Sequence, residues 1–154
     1  MKRILMVCLG NICRSPLAEG ILKSKVNSNK ILVDSAGTGG WHVGRPPDPR
    51  SIEVANNHNL NISNQRCRKF TISDFDNFDI IYAMDRSNFE DIISLSRGEN
   101  DTVKVRLFRN ELTKGRGLDV PDPYNGGEVG FEMVYKIIDE VCEVIVKKYP
   151  NELK

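Results

Sequence analysis

The sequence predicts an α/β fold, a three-layer sandwich with a central four-stranded parallel sheet and helices on both faces. Short apolar, β-branched runs alternate along the chain with amphipathic ones, the pattern of strands joined by helical crossovers. At 154 residues the chain reads as one domain spanning 1–154, long enough to bury a core without disulfide or metal staples. A tight loop directly follows the first apolar run and opens onto a helix start, which places a phosphate-binding loop after strand 1. In order, residues 4–7 read as a buried strand, 15–26 as a helix, and 31–35 as the second strand. A helix over 49–58, a strand over 80–83, a helix over 86–95 and a strand over 103–108 follow. Residues 112–127, rich in Gly, Pro and charge, read as a long surface loop, and long loops in compact domains tend to carry function. The last helix, about 127–148, shows a one-sided apolar stripe of Phe131, Val134, Ile137, Ile138, Val141, Val144 and Ile145. Cys142 lies beside that stripe and reads as core.

The loop is the run Cys8-Leu9-Gly10-Asn11-Ile12-Cys13-Arg14-Ser15-Pro16. A loop that ends on a helix N-terminus gathers unpaired backbone N–H groups around one point, which suits a phosphate dianion. Gly10 and Asn11 are residue types that tolerate the positive φ needed to turn successive N–H groups inward. The thiol of Cys8 opens the loop and Arg14 follows six residues later. A thiol facing N–H dipoles and a guanidinium ionises readily, because each stabilises the thiolate. The planar fork of Arg14 can grip two phosphate oxygens, as a lysine cannot. These parts describe a covalent phosphoryl-transfer site, in which a thiolate attacks phosphorus while N–H groups and a guanidinium hold the charge. That chemistry calls for no metal and no cofactor.

Other classes are set aside by composition. Lys plus Arg is 22 against 21 Asp plus Glu, a formal charge of +1, which supports neither a nucleic-acid nor a membrane-surface partner. Met1-Lys2-Arg3 and the short apolar run after it lack the length and cleavage site of a signal peptide. No apolar stretch approaches a membrane span, so the reading is cytoplasmic. The four cysteines, Cys8, Cys13, Cys67 and Cys142, form no Cys-x2-Cys pair, which argues against a zinc or thioredoxin-type site. In the cytosol they stay reduced at rest. The loop has one glycine and no Gly-Lys-Ser or Gly-Lys-Thr ending, so it is not a nucleotide P-loop.

The stretch Val7 to Pro16 resembles the signature of the low-molecular-weight protein-tyrosine phosphatases. Three further stretches are similar to that family, in its order: Asp34-Ser35-Ala36-Gly37 through Trp41-His42-Val43-Gly44-Arg45-Pro46-Pro47-Asp48-Pro49-Arg50; Asp74-Phe75 through Ala83-Met84-Asp85-Arg86-Ser87-Asn88; and Val120-Pro121-Asp122-Pro123-Tyr124. The resemblance covers essentially the whole chain. It implies Cys8 as nucleophile, Arg14 and the N–H groups of Leu9, Gly10, Asn11, Ile12 and Cys13 as the phosphate cradle, and Asp122 as general acid and then base. Taken alone, Asp122-Pro123-Tyr124 would read as a turn. Ser15 either donates its hydroxyl to the Cys8 sulfur or caps the helix, and the resemblance favours the first. It also implies that Asn11 holds the left-handed turn, that Ser35 braces Asn11, and that Asp85 supports the loop while starting a helix. Gln65 stands where the family usually carries a bracing histidine, so the pH behaviour of the loop is expected to differ. Trp41 and Tyr124 are implied as walls sandwiching an aromatic leaving group. Asn125 follows where some relatives carry a second tyrosine. Cys13 is implied as the second thiol that traps an oxidised Cys8 reversibly.

The resemblance implies phosphotyrosyl proteins or peptides as substrates, with phosphate and similar oxyanions as inhibitors. Two relatives by loop are weighed against it. An arsenate reductase would relay a disulfide through two further cysteines near mid-chain, and residues 80–95 contain none. Phosphoarginine phosphatases tend to carry threonine where Ile12 stands, so the apolar Ile12 favours phosphotyrosine. A non-catalytic binding module would have lost its nucleophile or acid, yet Cys8, Arg14, Ser15 and Asp122 are all present.

Overall fold

A computed structural model of the chain describes residues 1–113, 116–124 and 130–153. Strands β1 (Lys2–Cys8), β2 (Ile31–Gly37), β3 (Ile80–Ala83) and β4 (Val105–Leu107) form one parallel sheet in the order β2-β1-β3-β4. Helices α1 (Arg14–Lys25), α2 (Pro49–Asn57), α3 (Asp74–Asn77), α4 (Arg86–Ser94), α5 (Glu99–Thr102) and α6 (Gly130–Val146) connect and cover it. The expected sandwich is present.

Strand alternation sorts the core into two. Ile4 and Met6 of β1 join Ile80 and Tyr82 of β3 on one face, under Leu17 and Ile21 of α1, Val54 of α2 and Ile138 and Val141 of α6. Leu5 and Val7 join Ile81 and Ala83 on the other, against Phe75 of α3, Ile92 of α4 and Phe70. Both faces are dry because parallel crossovers place helices on each. Two helices start on aspartate caps: Asp48 accepts the Arg50 N–H ahead of Pro49 at the first position of α2, and Asp85 accepts the Asn88 N–H for α4.

Several boundaries differ from the expectation. β1 runs on to include Cys8, so the thiol belongs to the strand and the loop proper begins at Leu9. β4 is short, since residues 103 and 104 lie in the turn after α5 and Phe108 opens a 3-10 turn over Phe108–Glu111. Helices α3 and α5 are single turns, too short to show a helical period in sequence. Within the described residues the last helix starts at Gly130. Among these residues no helix is long and apolar enough to cross a membrane.

The C-terminal end of β1 is where function is to be sought. The chain runs from β1 to its neighbour on one side, β2, and β3 pairs on the other. That arrangement opens a crevice outside the strand ends.

Burial also sets the alkaline stability. Removal from water lifts the Cys13 thiol to about 12 and the Cys67 thiol to about 11, and raises Cys142 in the core as well, all from an ordinary 9.0. The folded chain keeps these protons when the unfolded chain releases them. The stabilisation is therefore complete below about pH 9 and falls above it by up to ~1.4 kcal/mol per pH unit per thiol, the Cys67 and Cys13 shares being lost by about pH 11 and 12 and the Cys142 share persisting higher. Urea midpoints between pH 8 and pH 10.5 should fall, and fall less steeply in Cys142→Ala; equal slopes would refute this account.

Candidate active site

The loop between β1 and α1 is turned inside out by its neighbours. The carbonyl of Cys8 accepts from Thr38 N–H (3.0 Å), Leu9 from Gly39 N–H (2.8 Å) and Ile12 from Asp48 N–H (2.8 Å). The Asn11 carbonyl accepts the Cys67 S–H at 2.8 Å. With these carbonyls held outside, the Asn11 N–H is turned inward and lies 3.3 Å from the Cys8 sulfur. Asn11 sits at φ 57°, the one left-handed residue of the loop. Gly37 permits the approach of β2, because a Cβ there would stand 2.8 Å from the Leu9 carbonyl and 3.0 Å from the Asn11 nitrogen.

The Asn11 side chain is fully used. Its Nδ2 donates to Ser15 Oγ (2.8 Å) and Ser35 Oγ (3.0 Å), and its Oδ1 accepts the Arg68 N–H (3.0 Å). The Ser35 hydroxyl in turn donates to Glu19 Oε1 at 2.6 Å. Because Ser15 Oγ accepts from Asn11, its hydrogen is left for the Cys8 sulfur at 3.0 Å, nearer than the Ala36 carbonyl at 3.4 Å. Ser15 is not the helix cap. That position is Cys13, without a side-chain cap bond, and Ser15 is the second residue of α1. Gln65 does not reach Asn11 either: its Nε2 donates to the Pro16 carbonyl at 3.0 Å.

Arg14, 2% exposed, is held by three groups distant in sequence. Nη1 donates to Asp85 Oδ2 (2.5 Å) and to the Val120 carbonyl (2.9 Å), and Nη2 lies 3.5 Å from Asp122 Oδ2. Burial works against the charge, but the Cys8 sulfur and Asp85 outweigh it and hold Arg14 above its ordinary value. Asp122 is half-exposed and accepts the Tyr124 N–H at 3.1 Å.

Cys8, Arg14 and Asp122 open together into a pocket of about 270 Å³, walled by Leu9, Ile12, Trp41, His42 and Tyr124. Cys13 also lines it. Trp41 is exposed and Tyr124 is tilted against His42 at 6.5 Å. The Arg50 guanidinium lies between the Tyr124 ring (5.5 Å) and the Phe131 ring (4.7 Å), locked by both Asp48 oxygens. Asn125 falls outside the described residues. Among those residues no cluster of three or more His, Cys, Asp or Glu forms a cation site.

Sequence reasoning missed His42, Arg50, Glu19 and Cys67 as parts of this arrangement. Glu19 carried a signal, a charged residue four after Ser15 among the largely apolar positions that open a helix whose first nine residues are buried. The others are joined to the loop only through space.

A strand-end thiol, a buried guanidinium and a loop-borne carboxylate thus share one pocket at the C-terminal edge of a parallel α/β sheet. Residues 3–154 match the family model described as low molecular weight phosphotyrosine protein phosphatase, and the chain belongs to that family. It is 42% identical to the low molecular weight phosphotyrosine protein phosphatase of Schizosaccharomyces pombe, over 86% of this chain and 87% of that one. The structure of a protein tyrosine phosphatase from Entamoeba histolytica, with Hepes in its active site, superposes with a TM-score of 0.88 at 36% identity, covering 98% of each chain. Vibrio vulnificus Wzb in complex with benzylphosphonate gives 0.85 at 29% identity, covering 96% of this chain and 98% of that one.

Asp85 caps α4 and anchors Arg14 at once. Asp85→Ala should lose about 1 kcal/mol for the cap and more, toward ~3 kcal/mol, for taking its nearest carboxylate from a buried cation that keeps only Val120 and the more distant Asp122. Urea denaturation would measure it, and a loss within 0.5 kcal/mol of wild type, the ordinary surface range, would contradict the double role.

Proposed function

We propose that the chain hydrolyses phosphotyrosine and aryl phosphate monoesters through a phosphocysteine on Cys8. The observation that carries this reading is that Cys8, Arg14 and Asp122 line one pocket with aromatic walls. The Cys8 thiolate attacks phosphorus, forming the S–P bond as the P–O bond to the phenol breaks. The loop N–H groups and the second edge of Arg14 take the equatorial oxygens, so the charge that spreads over them meets fixed donors. Asp122 gives its proton to the departing phenolic oxygen. It then takes a proton from water, which attacks the phosphocysteine and releases phosphate. As that bond breaks, the Ser15 hydroxyl stabilises the returning sulfur.

Trp41 and Tyr124 sandwich the ring of the substrate, and the apolar Ile12 suits that ring better than the cationic phosphoarginine head group. Cys13 lies in the same pocket and supplies protection. Peroxide oxidises Cys8 to a sulfenic acid, the Cys13 thiol condenses with it, and a disulfide and water result.

Cys8→Ser should abolish turnover of a phosphotyrosyl peptide, and chelator should leave the wild type unchanged. Asp122→Asn should slow that peptide by about 10²–10⁴-fold, and p-nitrophenyl phosphate less, since its leaving group hardly needs a proton. Faster turnover of phosphoarginine than of phosphotyrosine would overturn the substrate class. After peroxide, a thiol reductant should restore the wild type but not Cys13→Ser; equal recovery in both would remove Cys13 from this role.

A further inference from the structure

The pocket over Cys8 does not end the cleft. A second groove of about 730 Å³ adjoins it, and the two share Leu9 and Trp41 as walls. Residues 69–72, ahead of α3, and the C-terminal end of α4 complete its lining. Leu9 and Leu95 are each 40% exposed, Ile72 45% and Trp41 69%. Single exposed apolar residues are ordinary, but four gathered beside a reactive pocket mark a contact surface.

The groove is rigid. Gly37 N–H donates to the Arg68 carbonyl (2.9 Å), Phe70 N–H to the Gly37 carbonyl (2.7 Å) and Gly39 N–H to the Leu9 carbonyl (2.8 Å). One wall is thereby stitched to the catalytic loop and the other to the end of β2, so a ligand meets a preformed surface. Lys69 runs along Gly40, where a Cβ would touch its Cδ at 3.4 Å, beside the Trp41 turn. Among the described residues Lys69 has no ion-pair partner.

We propose that this groove binds the peptide chain flanking the phosphotyrosine, seating an apolar side chain against Ile72 and Leu95 with an acidic neighbour at Lys69. The proposal rests on the reading of the Cys8 pocket as a phosphotyrosine site. A phosphotyrosine held there is tethered to its chain, which must leave over the rim. Extended residues rise about 3.3 Å each, so the side chains one to three positions away fall within a groove that shares the Trp41 wall. The acidic neighbour is favoured beside Lys69 and disfavoured beside Asp91, which also lines the groove.

The test compares kcat/KM for p-nitrophenyl phosphate, a glycine-flanked phosphotyrosyl peptide, and peptides carrying Leu, or Leu with Asp, on either side. Wild type should favour a Leu-flanked peptide over the glycine-flanked one by about tenfold, mainly through KM. The double variant Ile72→Ser/Leu95→Ser should lose that preference and keep p-nitrophenyl phosphate turnover within about twofold. Lys69→Ala should lose only the added gain from Asp, a gain that shrinks with salt. No flank preference in wild type, a preference retained in the double variant, or equal loss on p-nitrophenyl phosphate would each overturn the proposal. So would a concentration-dependent dimer abolished by the double variant with peptide kinetics unchanged, because a second copy would then cover the groove. Failure of wild type to cleave p-nitrophenyl phosphate is the failure of the Cys8 reading, seen before any peptide is compared.

Discussion

A charged guanidinium taken out of water has to be paired, and that requirement organises this molecule. Arg14 is almost fully buried at the first turn of α1, where an unpaired cation would cost several kcal/mol. Its partners are the cap of α4, the Val120 carbonyl and the Asp122 carboxylate. Satisfying one side chain thus brings the start of α4 and the loop before α6 to the end of β1. The carboxylate proposed as proton donor shares a pocket with the thiol because the segment carrying it is tied to Arg14. Position and pairing are one interaction here.

The same economy governs the loop. Its carbonyls are bound from outside by the turn after β2 and by Cys67 and Asp48, and the Asn11 N–H points at the Cys8 sulfur. Asn11 holds the left-handed turn with every polar atom of its amide, and the chain continues through Ser35 to Glu19. A buried network in which each member is satisfied is rigid, and it fixes the backbone of the loop around the Cys8 sulfur.

Environment divides the four thiols. Cys8 lies under an open pocket with N–H and O–H donors around its sulfur. Burial lifts Cys13, Cys67 and Cys142 well into the range where thiols stay protonated. Cys67 serves the loop as a hydrogen-bond donor, a use open only to a protonated thiol. Reactivity follows from the setting of each sulfur rather than from the residue type.

Local pattern carried much of this protein in its sequence. The strands, the longer helices and the strand-loop-helix unit around Cys8 depend on neighbours within a few residues, so periodicity and turn chemistry reveal them. The same unit yielded Cys8 and Arg14 as chemistry and Asn11 as a turn residue, while Asp122, within an Asp-Pro-Tyr turn, was legible only through resemblance to a family. The one-turn helices α3 and α5 were hidden because a single turn has no period. The capping of α1 by Cys13, the turning of Gln65 to Pro16, and the parts taken by His42, Arg50, Glu19 and Cys67 were settled by tertiary structure alone. Arg14 meets Asp85 across 71 positions and Val120 across 106. Side chains that far apart are matched by how the sheet brings loop ends together, and no local rule encodes which buried charge or carbonyl will be the one in reach.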